Sequence, residues 1–196
     1  MRKILYSIAS LIVLGSCAGG GSSAGTDVDA AVAAVDNVIM TRRSIRQYTD
    51  QEISRETLQA IADAGINAPN GQGRQAYEVR IVRDPQPGGE GPQFRGLFKG
   101  APYVAFIAAD TSYDMSHVDC GLLGENMILA AWARGIGSCC LAQPVRLMKG
   151  TPECRPFLDS LDFSEGYELL YCIAFGYPAE EPDARPRKAE KVRIIE

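Results

Sequence analysis

The sequence predicts an α+β fold, a sandwich of helices about a mixed sheet, on three observations. Strand-like and helix-like segments alternate along most of the chain, and two helical segments precede the first strand. That first strand does not lead into a glycine-rich helix start, which argues against a doubly wound nucleotide fold. The composition, 46% hydrophobic and 22% charged over 196 residues, is that of one ordinary globular domain.

The elements follow in order. Arg2 and Lys3 precede an apolar run from Ile4 to Leu14, and Gly15-Ser16 lead into Cys17. The run is too short for a membrane span, which needs ~20 apolar residues, and reads as an export signal over 1–16. Leu14-Gly15-Ser16-Cys17 resembles the lipobox of bacterial lipoproteins, with Cys17 as the lipidated residue of an envelope protein anchored to its membrane. Residues 17–26 are rich in Gly and Ser and read as a flexible tether, with the folded domain at 27–196.

Asp27 is the expected cap of a helix whose Val28, Ala31, Val32, Val35, Val38 and Ile39 form one apolar stripe. Ser54 caps a second helix that closes before Pro69. Tyr77, Val79 and Ile81 alternate with Glu78, Arg80 and Val82 as a strand with one wetter face, whereas Tyr103–Ala109 is apolar throughout, as a central strand would be. Between them lies a Pro/Gly-rich stretch with a short helix expected at 93–99. The residues from His117 to Arg134 carry too many apolar positions for one narrow stripe and predict a buried helix stopped by Gly135. A strand at 136–141, short helices at 145–149 and 153–161, a strand at 167–175 and a charged, Pro-rich tail complete the chain.

The net charge of −4 excludes nothing but polyanion wrapping, so no nucleic-acid partner is expected. Six cysteines without paired CxxC spacing define neither a disulfide scaffold nor a zinc site. His117 with Cys120 lacks a second ligand pair and reads as a surface or cap residue. Cys139-Cys140 reads as apolar filling, and Gly135-Ile136-Gly137 lacks the third glycine of a dinucleotide loop.

Two stretches carry chemistry. Thr41-Arg42-Arg43-Ser44-Ile45-Arg46 places three guanidinium groups and a hydroxyl where the first helix ends, and an extended chain would aim Arg42, Ser44 and Arg46 to one side. Planar guanidinium forks suit phosphate oxygens. Read alone, the same stretch is also a solvated basic turn. Ala68-Pro69-Asn70-Gly71-Gln72-Gly73-Arg74-Gln75 is a loop of amides and glycines able to bring backbone groups close to a planar polar ring.

Together with the helix running into Gly135-Ile136-Gly137-Ser138-Cys139, and with Phe175-Gly176-Tyr177-Pro178 followed by Arg187-Lys188, these stretches resemble the FMN-dependent nitroreductase family over residues 38–190. The resemblance implies a three-layer sandwich, dimeric, with two FMN sites in the interface. It implies that Arg42, Arg43, Ser44 and Arg46 hold the phosphate and ribityl chain, with Arg187 or Lys188 completing the clamp. It implies that Pro69, Asn70 and Gly71 reach the flavin from the partner subunit, with Gln75 in the same loop. Cys140, Leu141, Ala142 and Gln143 would lie along the ring with a backbone N–H near N5. The chain departs from the family pattern at Gly73, where Asn is usual, and at Tyr77, where Trp is usual.

The implied activity is hydride transfer from NADH or NADPH through FMN to a nitroaromatic, quinone or similar small aromatic acceptor, with no side-chain acid or base as catalyst. An exported location conflicts with the expected scarcity of nicotinamide cofactors outside the cytoplasm. The alternatives are a lipid-anchored flavin-binding protein without nicotinamide-dependent turnover and an interaction domain whose Arg cluster meets an acidic surface.

Overall fold

The computed structural model describes residues 23–88, 94 and 96–196. The chain divides into two units, 1–35 and 36–196. The signal at 1–16 and the lipobox Cys17 lie outside the described residues.

Helix α1 runs Ser23–Thr41 and so starts four residues ahead of the expected Asp27 cap; the last part of the expected tether, 23–26, is helical. Val28, Val32, Val35 and Ile39 of its predicted apolar stripe are exposed, as is Met40, whereas Val38 is half-buried. Helix α2 (Arg55–Ile66) begins as expected, with Ser54 Oγ accepting from Thr57 N–H, a cap that contributes about 1 kcal/mol.

Strands β1 (Tyr77–Arg83), β2 (Tyr103–Asp110), β3 (Gly137–Leu141) and β4 (Tyr167–Gly176) form one sheet in the order β1-β2-β4-β3. Every pairing within it is antiparallel, which corrects the expected mixed sheet; parallel pairing is confined to an isolated bridge between Ser44 and Ser138. Among the described elements no α-helix separates β1 from β2, and an antiparallel neighbour needs none.

Period-two alternation along β2 divides the interior. Tyr103, Ala105, Ile107 and Ala109 pack with Ile61 of α2 and with Cys120, Leu123 and Met127 of α3 (Ser116–Trp132). Val104 and Phe106 point the other way, toward Val145 and Met148 of α4 (Gln143–Lys149) and Phe157 and Leu158 of α5 (Arg155–Ser160). Helices therefore cover both faces of the sheet, and β2, buried along nearly all its length, is the central strand the apolar run predicts. In β4 the register slips between Ile107 and Ala108, which pair with Tyr171 and Leu169, so Leu170 is the extra residue of a bulge.

Two short helices differ from expectation. Helix α4 starts at Gln143 because Pro144 suits a first turn, whose N–H groups need no partner. The segment expected as a helix over 153–161 divides into a 3-10 turn at Pro152–Cys154 and then α5. The short helix expected at 93–99 falls partly outside the described residues, and 96–100 are turns.

Candidate functional site

The chain leaving α1 is stitched to both β3 and the tail. Ile45 N–H donates to Ser138 O at 2.9 Å beside the parallel bridge at Ser44. Ile45 is buried against Gly137, where a Cβ would come within 2.7 Å of its Cγ1, so only glycine fits there. Further along, Thr49 N–H donates to Tyr177 O and Ala179 N–H to Gln47 O, both at 2.9 Å, around an antiparallel bridge between Tyr48 and Pro178. Arg46 N–H donates to the Glu180 carboxylate. Tyr48 donates its hydroxyl to Ile45 O at 2.6 Å, and burial, aided by Cys139 and Glu180, pushes its phenol far above the usual range.

This stitching brings residues 42–46 against 182–187. They enclose a cavity of about 110 Å³ walled by Arg42, Arg43, Ser44 and Arg46 on one side and by Pro182, Asp183, Arg185 and Arg187 on the other. Five guanidinium groups thus face a cavity with one carboxylate in its wall. Several are steadied from below: Arg43 Nη1 donates to Met40 O at 3.0 Å, Arg46 Nη1 to Ser44 O at 3.0 Å and Arg187 Nη1 to Arg185 O at 3.4 Å. Arg42 Nε lies 3.5 Å from Glu125 Oε1 on α3, so its charge is partly offset. Each guanidinium has five N–H donors in a planar fork, so one bond to a carbonyl leaves most of them free for an anion.

Of the two tail cations expected here, Arg187 lines the cavity. Lys188, the residue before the 3-10 turn at Ala189–Lys191, is exposed outside its walls. Arg185 escaped the sequence reading. Its signal was the i, i+2 spacing with Arg187 in a Pro-flanked, extended segment, which sets both side chains to one side.

Cys140, Leu141, Ala142 and Gln143 form the junction where β3 passes into α4. Cys140, Ala142 and Gln143 are exposed and Leu141 half-buried. Desolvation of its sulfur, with Cys139 and Glu125 nearby, holds the Cys140 thiol above its usual range, while Arg42 opposes this. All five described cysteines are free. His117 is exposed at the start of α3, and no group of metal-ligating side chains occurs among the described residues.

Pro69, Asn70, Gly71 and Gln75 lie in the loop between α2 and β1 and contribute nothing to the cationic cavity of the same chain. Gly71 N–H donates to Asp119 Oδ1 at 2.9 Å, and Gln75 N–H to Asn70 Oδ1 at 3.0 Å. A Cβ on Gly71 would run into the Tyr113 hydroxyl, so a larger residue there would have to push that side chain aside. Tyr77 begins β1 with its hydroxyl 3.3 Å from Ile66 O, and Gly73 takes φ +69°.

The chain is similar to known proteins in sequence and in fold. The family model described as "Putative TM nitroreductase" matches residues 34–195. A relative from Archaeoglobus fulgidus named "Putative NADH dehydrogenase/NAD(P)H nitroreductase" is 31% identical over 154 residues, covering 74% of this chain and 86% of its own length. The "NADPH-flavin oxidoreductase" of Vibrio harveyi is 26% identical, covering 81% of this chain and 71% of its own. Among solved structures, the FMN-bound nitroreductase of Desulfitobacterium hafniense superposes with a TM-score of 0.73 at 28% identity, over 83% of this chain and 98% of that one. The FMN-bound nitroreductase of Bacteroides fragilis gives 0.71 at 26%, over the same shares. A family match that covers most of the chain, on the sandwich and sheet described above, leaves one assignment: this chain belongs to the nitroreductase family.

Proposed function

We propose that this protein is an FMN-dependent NAD(P)H oxidoreductase acting on a flat, electron-poor acceptor such as a nitroaromatic or a quinone. The observation that carries the reading is the convergence of Arg42, Arg43, Arg46, Arg185 and Arg187, from both ends of the domain, on one small cavity. A phosphate monoester is a compact dianion rich in acceptors and needs several such donors at once. The donor set fits it, and Ser44 adds a hydroxyl in the same wall.

When bound, FMN supplies hydride acceptance and donation at N5. The chain's own residues bind and orient. The guanidinium groups neutralise the phosphate, and Ser44 sits beside them for the ribityl chain. The junction Cys140-Leu141-Ala142-Gln143 would flank the ring, and its Ala142 and Gln143 amides fall where a helix begins and first-turn N–H groups lack intrahelical partners. A hydrogen bond from this junction to the flavin would favour its electron-rich reduced form. No side-chain acid or base is needed for hydride transfer, so positioning and exclusion of water are the protein's share.

The protein acts as a homodimer in this reading, with Pro69, Asn70, Gly71 and Gln75 reaching the flavin held by the partner. Two observations support it. Val118 and Leu122 are exposed one turn apart on α3, and Met115 just before it and Ile66 of α2 are exposed as well. Val192, Ile194 and Ile195 of the tail are exposed as well, apolar surface that a second copy would cover.

The N-terminal reading is likewise a proposal: 1–16 is a signal, Cys17 the lipid anchor of an envelope protein, 17–26 a linking segment and 27–196 the flavin domain, supported by the lipobox-like Leu14-Gly15-Ser16-Cys17. Cys17→Ala is expected to move the protein from the membrane pellet to the soluble fraction; an unchanged pellet refutes the anchor.

The activity is tested by anaerobic titration of the purified yellow protein with NADH and with NADPH. Bleaching of the flavin band and its return on adding a quinone or nitroaromatic are expected. A flavin-loaded protein that neither nucleotide bleaches is instead a flavin-binding protein without nicotinamide-dependent turnover.

A further inference from the structure

We propose that Asp119 is a positioning residue of the flavin site, holding the Gly71 backbone and thereby setting how Asn70 is presented. The proposal rests on the FMN reading above.

Asp119 lies in the first turn of α3 and is 2% exposed. Oδ1 accepts the Gly71 N–H at 2.9 Å, across 48 positions of sequence. Oδ2 is buried without a hydrogen-bond partner among the described residues. Burial and this carboxylate together push the neighbouring Cys120 thiol up to about 12. Burying a carboxylate for one backbone bond is a poor way to stabilise a fold, and the adjoining buried positions of α3, Cys120, Leu123 and Met127, are apolar. What the carboxylate secures is the loop.

The loop needs securing. Gln72 and Gln75 sit at φ +57° and +50°, where L side chains are strained. Tyr113 braces it from beneath, with its hydroxyl against Gly71 and the Arg74 guanidinium 4.5 Å over its ring. Asn70 Oδ1 is occupied by Gln75 N–H, while Nδ2 has only a long 3.4 Å contact to Ala68 O. Asn70 Nδ2 therefore keeps donor capacity that suits a carbonyl oxygen or bare ring nitrogen of a flavin.

The test compares the full-length protein with Asp119→Ala, Asp119→Leu and Asp119→Asn, reading amide hydrogen exchange at Gly71, FMN affinity by fluorescence titration, the shape of the flavin visible band and the melting temperature of the apoprotein. The leucine variant fills the site with apolar volume, so the comparison survives if the alanine variant does not fold. Expected in both are Gly71 exchange and FMN Kd about tenfold above the parent with an altered band, the leucine variant melting no lower than the parent. Asp119→Asn, which keeps the carbonyl oxygen, should stay within about threefold. Unchanged affinity and band in the leucine variant overturn the proposal, whatever its melting temperature. A parent that protects Gly71 yet binds no FMN removes the flavin reading and the proposal with it; a parent that binds FMN with Gly71 unprotected removes the proposal alone.

Discussion

Replacing Arg46 and Arg187 together by alanine is expected to raise the FMN Kd about 100-fold. The two residues come from opposite ends of the domain and meet in one cavity wall. A hydrogen bond to a charged group contributes roughly 1.5–3 kcal/mol. Both side chains are exposed in the single chain, so the low end applies, and two such losses at about 1.4 kcal/mol per factor of ten give the stated ratio. Arg42→Ala is a less clean probe, because it also leaves Glu125 unpaired beside the site. Fluorescence titration of the apoprotein decides it. A double variant that binds FMN within threefold of the parent would show that the phosphate lies elsewhere.

Phe106→Ala is expected to lower folding stability by about 3–5 kcal/mol, the usual range for removing a fully buried aromatic ring. Phe106 is 0% exposed at the centre of β2, with edge-on contacts to Phe98 and Phe157 at centroid distances of 5.6 and 5.4 Å. Its ring fills the layer beneath α4 and α5, on the face of the sheet away from α2 and α3. Urea unfolding of the apoprotein measures the loss. FMN affinity at low temperature should stay near that of the parent, since none of the cavity's wall belongs to this layer. A loss under 1 kcal/mol would contradict the central placement of this strand.

What the sequence discloses here follows from the range of the interactions. The apolar run at 103–109 and the Ser54 cap are local patterns, and the structure reproduces both. The pairing of 46–49 with 177–180 is made by one isolated bridge and a few hydrogen bonds between distant segments and leaves no periodicity to read. That pairing is what carries Arg185 and Arg187 to Arg42 and Arg46, so the clamp came from family resemblance and only its Arg-rich half from residue chemistry. Lys188 and Arg187 are equivalent as charges, and nothing local in the sequence marks Arg187 as the one that lines the cavity. Asp119 reads as an ordinary acidic residue of a helix's first turn; its burial shows only once Gly71 is folded over it. The stripe of α1 is legible as apolar, but its exposure at Val28, Val32, Val35 and Ile39 is not.

The central claim is that the arginines shared between the two ends of the domain hold a phosphate. Titrating the apoprotein with FMN and with riboflavin, which lacks only that group, tests it most directly. The account predicts FMN binding at least about 100-fold tighter than riboflavin, with the difference shrinking as salt is raised. Equal affinity for the two would contradict it.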